Sequence, residues 1–208
     1  MRMRPRRTVV ILAKAPRIGR VKSRLARDLG RVGAWRFYRR ECLALVARLA
    51  ADRRWRVLLA VSPDDWSGSA IWPAGPRRIG QGQGDLGQRM RRALRAAGND
   101  AAVLVGSDIP ALGPGHVWRA FRALGRAQVV FGPAEDGGYW LGGCRHGAAT
   151  PDMFAGVRWS GPMALSDTLA NLPCHRRHAL ADLLWDVDTV ADYRRLGAGR
   201  GGLSLPRR

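Results

Sequence analysis

Short runs of β-branched and aliphatic residues alternate along this chain with longer stretches in which apolar positions recur every three or four residues. The short runs predict strands over Thr8–Ala13, Trp55–Val61, Ala101–Gly106 and Gln128–Gly132. The periodic stretches predict helices over Gly33–Asp52, Leu86–Ala97, Pro114–Leu124, Met163–Leu172 and Thr189–Leu196. Strands that alternate with helices are typical of an α/β sandwich with a largely parallel sheet.

The alternation changes after Gly132, where Glu135-Asp-Gly-Gly138 separates two strand-like runs. These turn-forming residues predict a tight turn or short loop, and a sheet that becomes mixed at this point. No linker-like stretch divides the 208 residues. We therefore expect one domain over residues 8–196, a basic extension at residues 1–7 and a flexible tail at residues 197–208.

The chain is strongly basic, with 36 Lys and Arg against 16 Asp and Glu and a formal net charge of +20. Such an excess suits an arginine-rich nucleic-acid-binding protein, because clustered cations release counterions from a phosphate backbone. The arginines of two predicted helices, however, lie opposite apolar faces. Those faces contain Trp35, Tyr38, Cys42, Leu45 and Leu49 in one helix and Leu86, Met90 and Leu94 in the other, where Arg89, Arg92 and Arg95 lie outside. We therefore expect these arginines to form solvated helix faces rather than a specific nucleic-acid surface. The excess of positive charge still favours binding of small anionic ligands.

The cysteines and the N-terminal segment indicate the compartment. The three cysteines are widely separated and lack CxxC spacing, which argues against a disulfide framework and favours a reducing cytosol. The basic start resembles a signal peptide, but the apolar run Val9–Ala13 is too short and Lys14 ends it. No run approaches the length that spans a membrane. The expected location is cytoplasmic, and the sequence leaves the oligomeric state open.

Lys14 and Lys22 are the only lysines in the chain, and both lie in the loop after the first predicted strand. An ammonium is a compact point charge, whereas a guanidinium is a rigid fork, so two lysines in an arginine-rich chain point to a phosphate ligand. The GxxxxGK[ST] order of a P-loop is absent. A possible helix start at Ser23 would add to phosphate binding. The alternative interpretation is a solvated basic loop.

A glycine-rich loop, Gly80-Gln-Gly-Gln-Gly-Asp-Leu-Gly87, precedes the second predicted helix. Its residues 82–87 match GxGxxG, with Asp108 about twenty residues later, so a dinucleotide-binding loop is one interpretation. Asp85 is more simply explained as the N-cap of the following helix. The glycines would still allow a nucleobase or ribose to approach the backbone closely.

Carboxylates follow an apolar strand and occupy an extended segment near the C-terminus. Asp108 follows Ala101–Gly106 after one serine, at a strand end where a buried charge needs a metal or a cation to compensate it. Asp186 and Asp188 are two residues apart, so in an extended segment both face one cation while Trp185 and Val187 face the other way. Together the three acids suggest an all-oxygen site for Mg²⁺ or Mn²⁺. The alternatives are a turn cap at Asp108 and a helix N-cap at Asp188.

The segment Glu135-Asp-Gly-Gly-Tyr-Trp140 combines acids, glycines and aromatic rings. It suits an acceptor held through hydroxyl or amine contacts and ring stacking. On the sequence alone, a turn that binds no ligand explains Asp-Gly-Gly equally well.

In order along the chain, these motifs resemble a bacterial family of small transferases with the GT-A fold, related to phospholactate guanylyltransferases and molybdenum-cofactor nucleotidyltransferases. The likeness covers about residues 8–196 and rests on motif order. It is carried by Val10-Ile-Leu-Ala-Lys-Ala-Pro, Val-Lys-Ser-Arg-Leu25, Gly84-Asp-Leu-Gly-Gln-Arg-Met90, Gly106-Ser-Asp-Ile-Pro110, Pro133-Ala-Glu-Asp-Gly-Gly-Tyr139, Phe154-Ala-Gly-Val-Arg-Trp-Ser160 and Asp186-Val-Asp-Thr189. It implies a single-domain nucleotide-diphospho-sugar transferase fold, a Rossmann-like three-layer sandwich with a mostly parallel mixed sheet.

The resemblance also implies roles for individual residues. The phosphate-binding loop would comprise Ala13, Lys14, Lys22 and Arg24, and the base and ribose contacts Gly82, Gly84, Asp85 and Gly87. Divalent-metal ligands would be Asp108, Asp186 and Asp188, and Lys22, Arg24 and Asp108 would be catalytic. The acceptor would meet Glu135, Asp136, Gly137, Gly138, Tyr139 and Trp159.

The expected function is metal-dependent transfer of a nucleotidyl group from a nucleoside triphosphate to a small acidic, phosphorylated or hydroxylated acceptor, with release of pyrophosphate. The alternative enzyme is a glycosyltransferase that uses a nucleotide sugar. Metal-dependent glycosyltransferases commonly carry an Asp-x-Asp pair at the position of Ser107-Asp108, and this chain does not. The second alternative is the nucleic-acid-binding protein.

Overall fold

The computed structural model describes residues 7–199 and contains a seven-stranded sheet between helices. The strands are β1 (Arg7–Lys14), β2 (Arg56–Ser62), β3 (Arg77–Gly80), β4 (Ala101–Gly106), β5 (Val129–Pro133), β6 (Tyr139–Cys144) and β7 (His178–Leu180). The helices are α1 (Ala26–Ala50), α2 (Leu86–Arg95), α3 (Pro114–Ala123), α4 (Ala164–Ala170) and α5 (Val190–Gly199). The predicted α/β alternation is confirmed.

The strand order is β3-β2-β1-β4-β6-β5-β7, and within the described residues β6 alone runs antiparallel to its neighbours. The turn before β6 therefore makes the sheet mixed, as predicted. The apolar strands β1 and β4 lie side by side at the centre, where both sheet faces are covered. The chain proceeds outward from β1 to β2 and β3 and then returns to β4. Ligands of open α/β sheets bind at such a reversal, beyond the carboxyl ends of the strands.

Apolar side chains on the two faces of the sheet form separate layers of the core. On one face, β-strand residues pack against α1 and α3, which contribute Leu45 and Phe121. On the other, Met90 of α2 and Leu165 of α4 pack over Leu104 and Phe131. A small third cluster packs Val187 between α1 and α5. The result is the expected three-layer sandwich.

The first helix begins earlier than the sequence pattern predicted. It starts at Ala26 rather than Gly33, and Gly30 interrupts it with φ of 70° and ψ of 162°. The helix does not start at Ser23, because Leu25 is the residue that precedes its first turn. Gly30 explains why the sequence pattern placed the helix start too late. Glycine weakens a helical pattern, and here its positive φ interrupts the helix after the first turn.

The C-terminal helix extends to Gly199, three residues into the predicted tail. The remainder of that tail, residues 200–208, and residues 1–6 of the predicted extension lie outside the described residues. Among residues 7–199, no helix is long and apolar enough to cross a membrane.

Candidate active site

A cleft of about 690 Å³ lies beyond the carboxyl ends of β1 and β4. Its walls include Ala13 and Lys14 at the end of β1, Ser107 and Asp108 after β4, and Tyr139 at the start of the reversed strand β6. The cleft therefore lies at the reversal of strand order, where this topology places ligands.

The three predicted metal ligands meet in this cleft. Oxygen atoms of Asp108, Asp186 and Asp188 lie within 4.8 Å of one another, and all three residues are half-buried. Between the last two, Val187 is fully buried, so the alternation of an extended segment directs both carboxylates to one side. The Val187 amide donates to the Asp108 carbonyl at 3.4 Å and joins the C-terminal segment to the end of β4.

Lys22 lies among these acids rather than apart from them. Its Nζ donates to Asp108 Oδ2 at 2.6 Å and to Asp188 Oδ1 at 2.7 Å, and its side chain is 4% exposed. Lys22 therefore joins the two acidic segments, and its predicted contact with a phosphate stays a prediction. Burial lowers the pKa of Lys22, but the charges of Asp108 and Asp188 and the hydrogen bonds to them together raise it above its ordinary value.

The backbone at Lys22 is unusual as well. Its φ is 49°, and the only other described non-glycine residue with positive φ is Ser160, which also lines the cleft. Positive φ in a residue with a side chain is strained and is found preferentially at functional sites. Arg24 is nearby but solvated: its side chain is 64% exposed, and its Nη1 lies 3.4 Å from Asp188 Oδ2.

Asp186 is the least compensated of the three acids. Lys22 donates to the other two, and burial followed by the charges of Asp188 and Asp108 raises the pKa of Asp186 to about 6. Three carboxylates and one ammonium carry a formal charge of −3 + 1 = −2 when all are ionised. The cluster therefore has the charge and the oxygen ligands that suit one divalent cation.

The alternative role of Asp188 as a helix N-cap is wrong. Thr189 caps α5, because its Oγ1 accepts from the Asp192 amide at 3.3 Å. The Asp192 carboxylate in turn accepts from the amides of Asp188 and Thr189. This reciprocal pairing is a capping box, and it leaves the Asp188 carboxylate in the acidic cluster.

Tyr38 of α1 fixes the end of β1, a role that the sequence pattern did not reveal. Its hydroxyl lies 2.9 Å from both the amide and the carbonyl of Lys14, and 3.0 Å from Ser107 Oγ. Burial raises its pKa well above the ordinary value, so the phenol is neutral. Periodicity identified Tyr38 only as an apolar position of a helix. Lys14, held by this backbone contact, exposes its side chain at the cleft.

The glycine-rich loop is tied to the protein at several points. The Gly82 amide donates to Asp64 at 3.0 Å, and Asp85 caps α2 with Gln88 in a capping box, as one interpretation predicted. Gly87 is required by packing, because a Cβ there would lie 2.8 Å from the carbonyl of Phe154. Of the loop residues predicted to contact a nucleotide, Gly84 lines the cleft and Gly82, Asp85 and Gly87 do not.

The GxGxxG match does not form a dinucleotide site. That motif follows the first, central strand of its fold, whereas this loop follows β3 at the edge of the sheet. Gln81 anchors the loop inward through its buried amide, which donates to Ala13 O at 3.0 Å and to Ala60 O at 2.9 Å.

Two arginines of the predicted solvated face of α2, the half-buried Arg89 and the exposed Arg92, also contact the glycine-rich loop. Arg89 lines the cleft, and its guanidinium donates to Gly84 O at 2.9 Å. Arg92 donates to the carbonyls of Gln81 and Gln83 and so holds the glycine-rich loop. Helical periodicity does not distinguish an arginine in water from one that folds back onto a loop. Arg89 is a cleft cation that the sequence interpretation missed.

The predicted acceptor residues separate into two groups. Asp136, Gly138, Tyr139 and Trp159 line the cleft. Glu135 does not, because it pairs with Arg195 of α5 at 2.6 and 2.9 Å. Gly137 also lies outside, with φ of 83°, and a Cβ there would clash with the backbone of Pro162. The Tyr139 hydroxyl lies 3.3 Å from Thr168 Oγ1, which itself donates to Ala164 O. Tyr139 therefore donates its proton to Thr168, and its ring is the part that lines the cleft.

Residues 45–161 match the family described as "Uncharacterized protein conserved in bacteria (DUF2064)". The chain belongs to this bacterial family. The match includes the glycine-rich loop, Asp108 and the acceptor segment, and it ends before Asp186 and Asp188. No curated protein matches the chain significantly.

Solved structures share the fold across nearly the whole chain. A "putative nucleotide-diphospho-sugar transferase" from Desulfovibrio desulfuricans G20 is 28% identical, with a TM-score of 0.84 over 97% of this chain and 90% of that one. A 4-diphosphocytidyl-2C-methyl-D-erythritol synthase from Anaerococcus prevotii DSM 20548 is 10% identical, with a TM-score of 0.61 over 95% and 97%. Glucosyl-3-phosphoglycerate synthase from Mycobacterium tuberculosis, solved with Mn²⁺ and uridine diphosphate, is 14% identical, with a TM-score of 0.54 over 93% and 75%.

These likenesses confirm the predicted fold class. The chain has the α/β fold of the nucleotide-diphospho-sugar transferases, with a seven-stranded mixed sheet. The expected resemblance to that superfamily is confirmed too, and the 28% identical neighbour supports a transferase.

Proposed function

We propose that this protein is a divalent-metal-dependent transferase that moves a nucleotidyl group from a nucleoside triphosphate to a small acceptor. One observation supports this proposal above the others. Three carboxylates with a formal excess of negative charge lie in the same cleft as the cations Lys14, Lys22, Arg24 and Arg89. In a metal–triphosphate complex, the positive metal would suit the carboxylates and the negative phosphates would suit the cations.

The acidic cluster fits a hard cation. Asp108, Asp186 and Asp188 offer only oxygen ligands, which Mg²⁺ and Mn²⁺ prefer. A bound metal would neutralise charge on the phosphate oxygens as it develops in the transition state. Asp108 and Asp188 would then hold that cation, and the Lys22 ammonium, which lies between them here, would be free to bind a phosphate oxygen.

The side chains of this protein would bind and orient the reactants. Lys14 at the end of β1 and Arg89 of α2, which both line the cleft, would hold the triphosphate together with Arg24. An acceptor oxygen would attack the α-phosphorus as the bond from that phosphorus to the bridging oxygen breaks. The bridging oxygen and its electron pair would leave with pyrophosphate, and the acceptor's proton would pass to solvent or to a carboxylate. Positioned charges supply most of the catalysis in this class of reaction.

Sugar transfer is the second candidate, and the 28% identical neighbour supports it through its name. The same cleft would then hold a nucleoside diphosphate as the leaving group. The single Asp108 after β4, preceded by Ser107, favours nucleotidyl transfer, because the resemblance associates sugar transfer with a paired Asp-x-Asp at this place.

A thermal-shift screen with nucleoside triphosphates and nucleotide sugars, each with and without Mn²⁺ or Mg²⁺, tests the shared part of the proposal. A nucleotide that raises the melting temperature only with the metal supports it. Product analysis then separates the candidates, because pyrophosphate identifies nucleotidyl transfer and a free nucleoside diphosphate identifies sugar transfer. Asp108→Ala should lower turnover by about a hundredfold or more, as loss of a preorganised charge does; wild-type turnover would contradict the mechanism.

Nucleic-acid binding is tested in the same preparation. A nucleic-acid-binding protein would bind duplex or single-stranded DNA tightly, with an affinity that falls steeply with salt. Several arginines are already paired with acids on separate parts of the surface, including Arg56 with Asp100 and Arg158 with Asp167. We expect weak binding at physiological salt.

A further inference from the structure

Gln81 is a polar residue of the cleft whose side chain is held in place by the protein alone. It is 5% exposed and lies at the start of the glycine-rich loop, directly after β3. Its Nε2 donates to Ala13 O at 3.0 Å and to Ala60 O at 2.9 Å. These two bonds use both hydrogens of the amide and tie Gln81 to the ends of β1 and β2.

The same two bonds fix the orientation of the Gln81 amide. Rotation of a primary amide by half a turn exchanges its oxygen with its nitrogen. In Gln81 that rotation would place Oε1 against the carbonyl oxygens of Ala13 and Ala60, which have no hydrogen to donate. The remaining side of the amide therefore presents an oxygen that accepts hydrogen bonds and cannot donate them.

The Oε1 atom of Gln81 faces the cleft. Within residues 7–199, no group donates a hydrogen bond to this oxygen. In that part of the chain, the fully buried side-chain nitrogens and oxygens without a partner are Arg48 Nε and Arg91 Nε, so Gln81 Oε1 touches solvent. Gln81 is otherwise buried and lines the cleft, which is therefore where that solvent lies. A ligand that enters the cleft and displaces this solvent must donate to Oε1, because an acceptor left unpaired there is costly.

The chemistry of Oε1 excludes the phosphates as its partner. Near neutral pH phosphate oxygens are predominantly ionised acceptors, so they would repel another acceptor. Lys14, a cation expected to bind the phosphates, directly follows Ala13, whose carbonyl Gln81 contacts. The partner of Oε1 is therefore an N–H or O–H group beside the phosphates. Gly84 of the same loop also lines the cleft, with φ of 106°, and glycine allows a flat ring to approach the backbone closely.

We propose that Gln81 selects the nucleobase of the donor by accepting a hydrogen bond from its exocyclic amine, and so favours adenine, cytosine or guanine over uracil. This inference rests on the proposed function, which brings a nucleotide into the cleft. In uracil the ring N3–H lies between two carbonyl oxygens, and an amide is complementary to that edge only if it donates as well as accepts. Gln81 has both amide hydrogens committed to Ala13 and Ala60. An exocyclic amine projects beyond the ring and needs only an acceptor.

Affinities for matched pairs of nucleotides, measured by calorimetry with Mn²⁺, test this assignment in the wild-type protein. The pairs differ in the exocyclic amine alone: adenosine and purine riboside triphosphates, cytidine and pyrimidin-2-one riboside triphosphates, and guanosine and inosine triphosphates. In the pair that binds most tightly, loss of the amine should weaken binding about tenfold or more, because a nearly buried acceptor is left unpaired. Equal affinities in every pair, or uridine triphosphate as the tightest ligand, would overturn the inference.

A pair of loop variants separates base selection from a structural role. Gln81→Met removes the amide at a similar side-chain length. Gln83→Met is the matched control, since Gln83 lies in the same loop but is exposed and outside the cleft. Gln81→Met should bind both members of the pair within about twofold of each other, whereas Gln83→Met should keep the wild-type ratio. A ratio unchanged in Gln81→Met would show that Gln81 only supports the loop; if this variant does not fold, the wild-type comparison still decides.

Nucleotide binding as such distinguishes this inference from the proposed function. Triphosphates that bind with Mn²⁺ whether or not the base carries an amine would overturn base selection by Gln81 and leave the proposed function intact. Absence of binding by every triphosphate would contradict the proposed function, and the inference that rests on it would fail too.

Discussion

Replacing Asp186 by asparagine should make the metal-free protein more stable, although it removes a candidate metal ligand. The pKa of Asp186 is raised from 3.8 to about 6, so the folded protein holds this carboxyl's proton more tightly than the unfolded chain does. Above about pH 6 the ionised carboxylate therefore destabilises the fold, and the penalty disappears as the pH falls toward the unfolded value near 4. An asparagine of nearly the same shape cannot ionise and escapes the penalty.

The size of the effect follows from the same shift. A pKa that rises from 3.8 to about 6 corresponds to at most about 3 kcal/mol at pH 8. The carboxyl is partly exposed and solvent screens its charge, which reduces the expected gain to about 1–2 kcal/mol. For a domain of this size, that gain should raise Tm by roughly 2–8 °C.

Thermal unfolding in EDTA at pH 8 and at pH 4.5 measures this prediction. Asp186→Asn should melt above the wild type at pH 8, and the difference should shrink at the lower pH. Asp188→Asn is the matched control, since it removes a partner of Lys22, whose side chain is 4% exposed, and should lower Tm. Equal or lower stability of Asp186→Asn at pH 8 would refute the reasoning. Added Mn²⁺ should stabilise the wild type more than the variant, because the variant lacks one ligand.

Three further predictions follow from contacts in and near the cleft. Lys22→Met should bind Mn²⁺ about tenfold more tightly without nucleotide, because the ammonium no longer competes with the metal for Asp108 and Asp188; a factor of ten corresponds to about 1.4 kcal/mol. Calorimetry measures the affinity, and Arg24→Met is the control. Unchanged affinity would show that Lys22 does not compete. Glu135→Gln should retain turnover within about twofold, whereas Asp136→Asn in the cleft should lose about tenfold or more; equal losses would contradict the separation of these two acids. Asp85→Ala should lower the free energy of unfolding by about 1 kcal/mol, as loss of an N-cap does, with nucleotide binding unchanged.

The sequence indicated the acidic cluster because strand alternation is a local property. An apolar run that ends in Asp108 places that carboxylate at a strand end, and spacing of two residues places Asp186 and Asp188 on one side of an extended segment. The resemblance of motif order then brought the two segments to one site. The Val187 amide, which donates to the Asp108 carbonyl, and Lys22, which contacts Asp108 and Asp188, join them in the structure.

Other features depend on contacts that periodicity does not encode. Arg89 was expected in solvent and lines the cleft, whereas Glu135 was expected in the cleft and pairs with Arg195 outside it. Long side chains turn toward partners that only the folded structure brings close. Thr189 rather than Asp188 caps α5, since Asp192 completes a capping box with the threonine.

The chain by itself determined the order of strands and helices, the mixed sheet and the residue types available for chemistry, because each of these depends on neighbours a few positions away. Only the tertiary structure decided that the Lys22 ammonium lies between Asp108 and Asp188, 86 and 166 residues away along the chain. The physical reason is that a buried charge is costly unless an opposite charge lies beside it. Which residue lies beside Lys22 depends on the packing of the whole sheet and not on the local sequence.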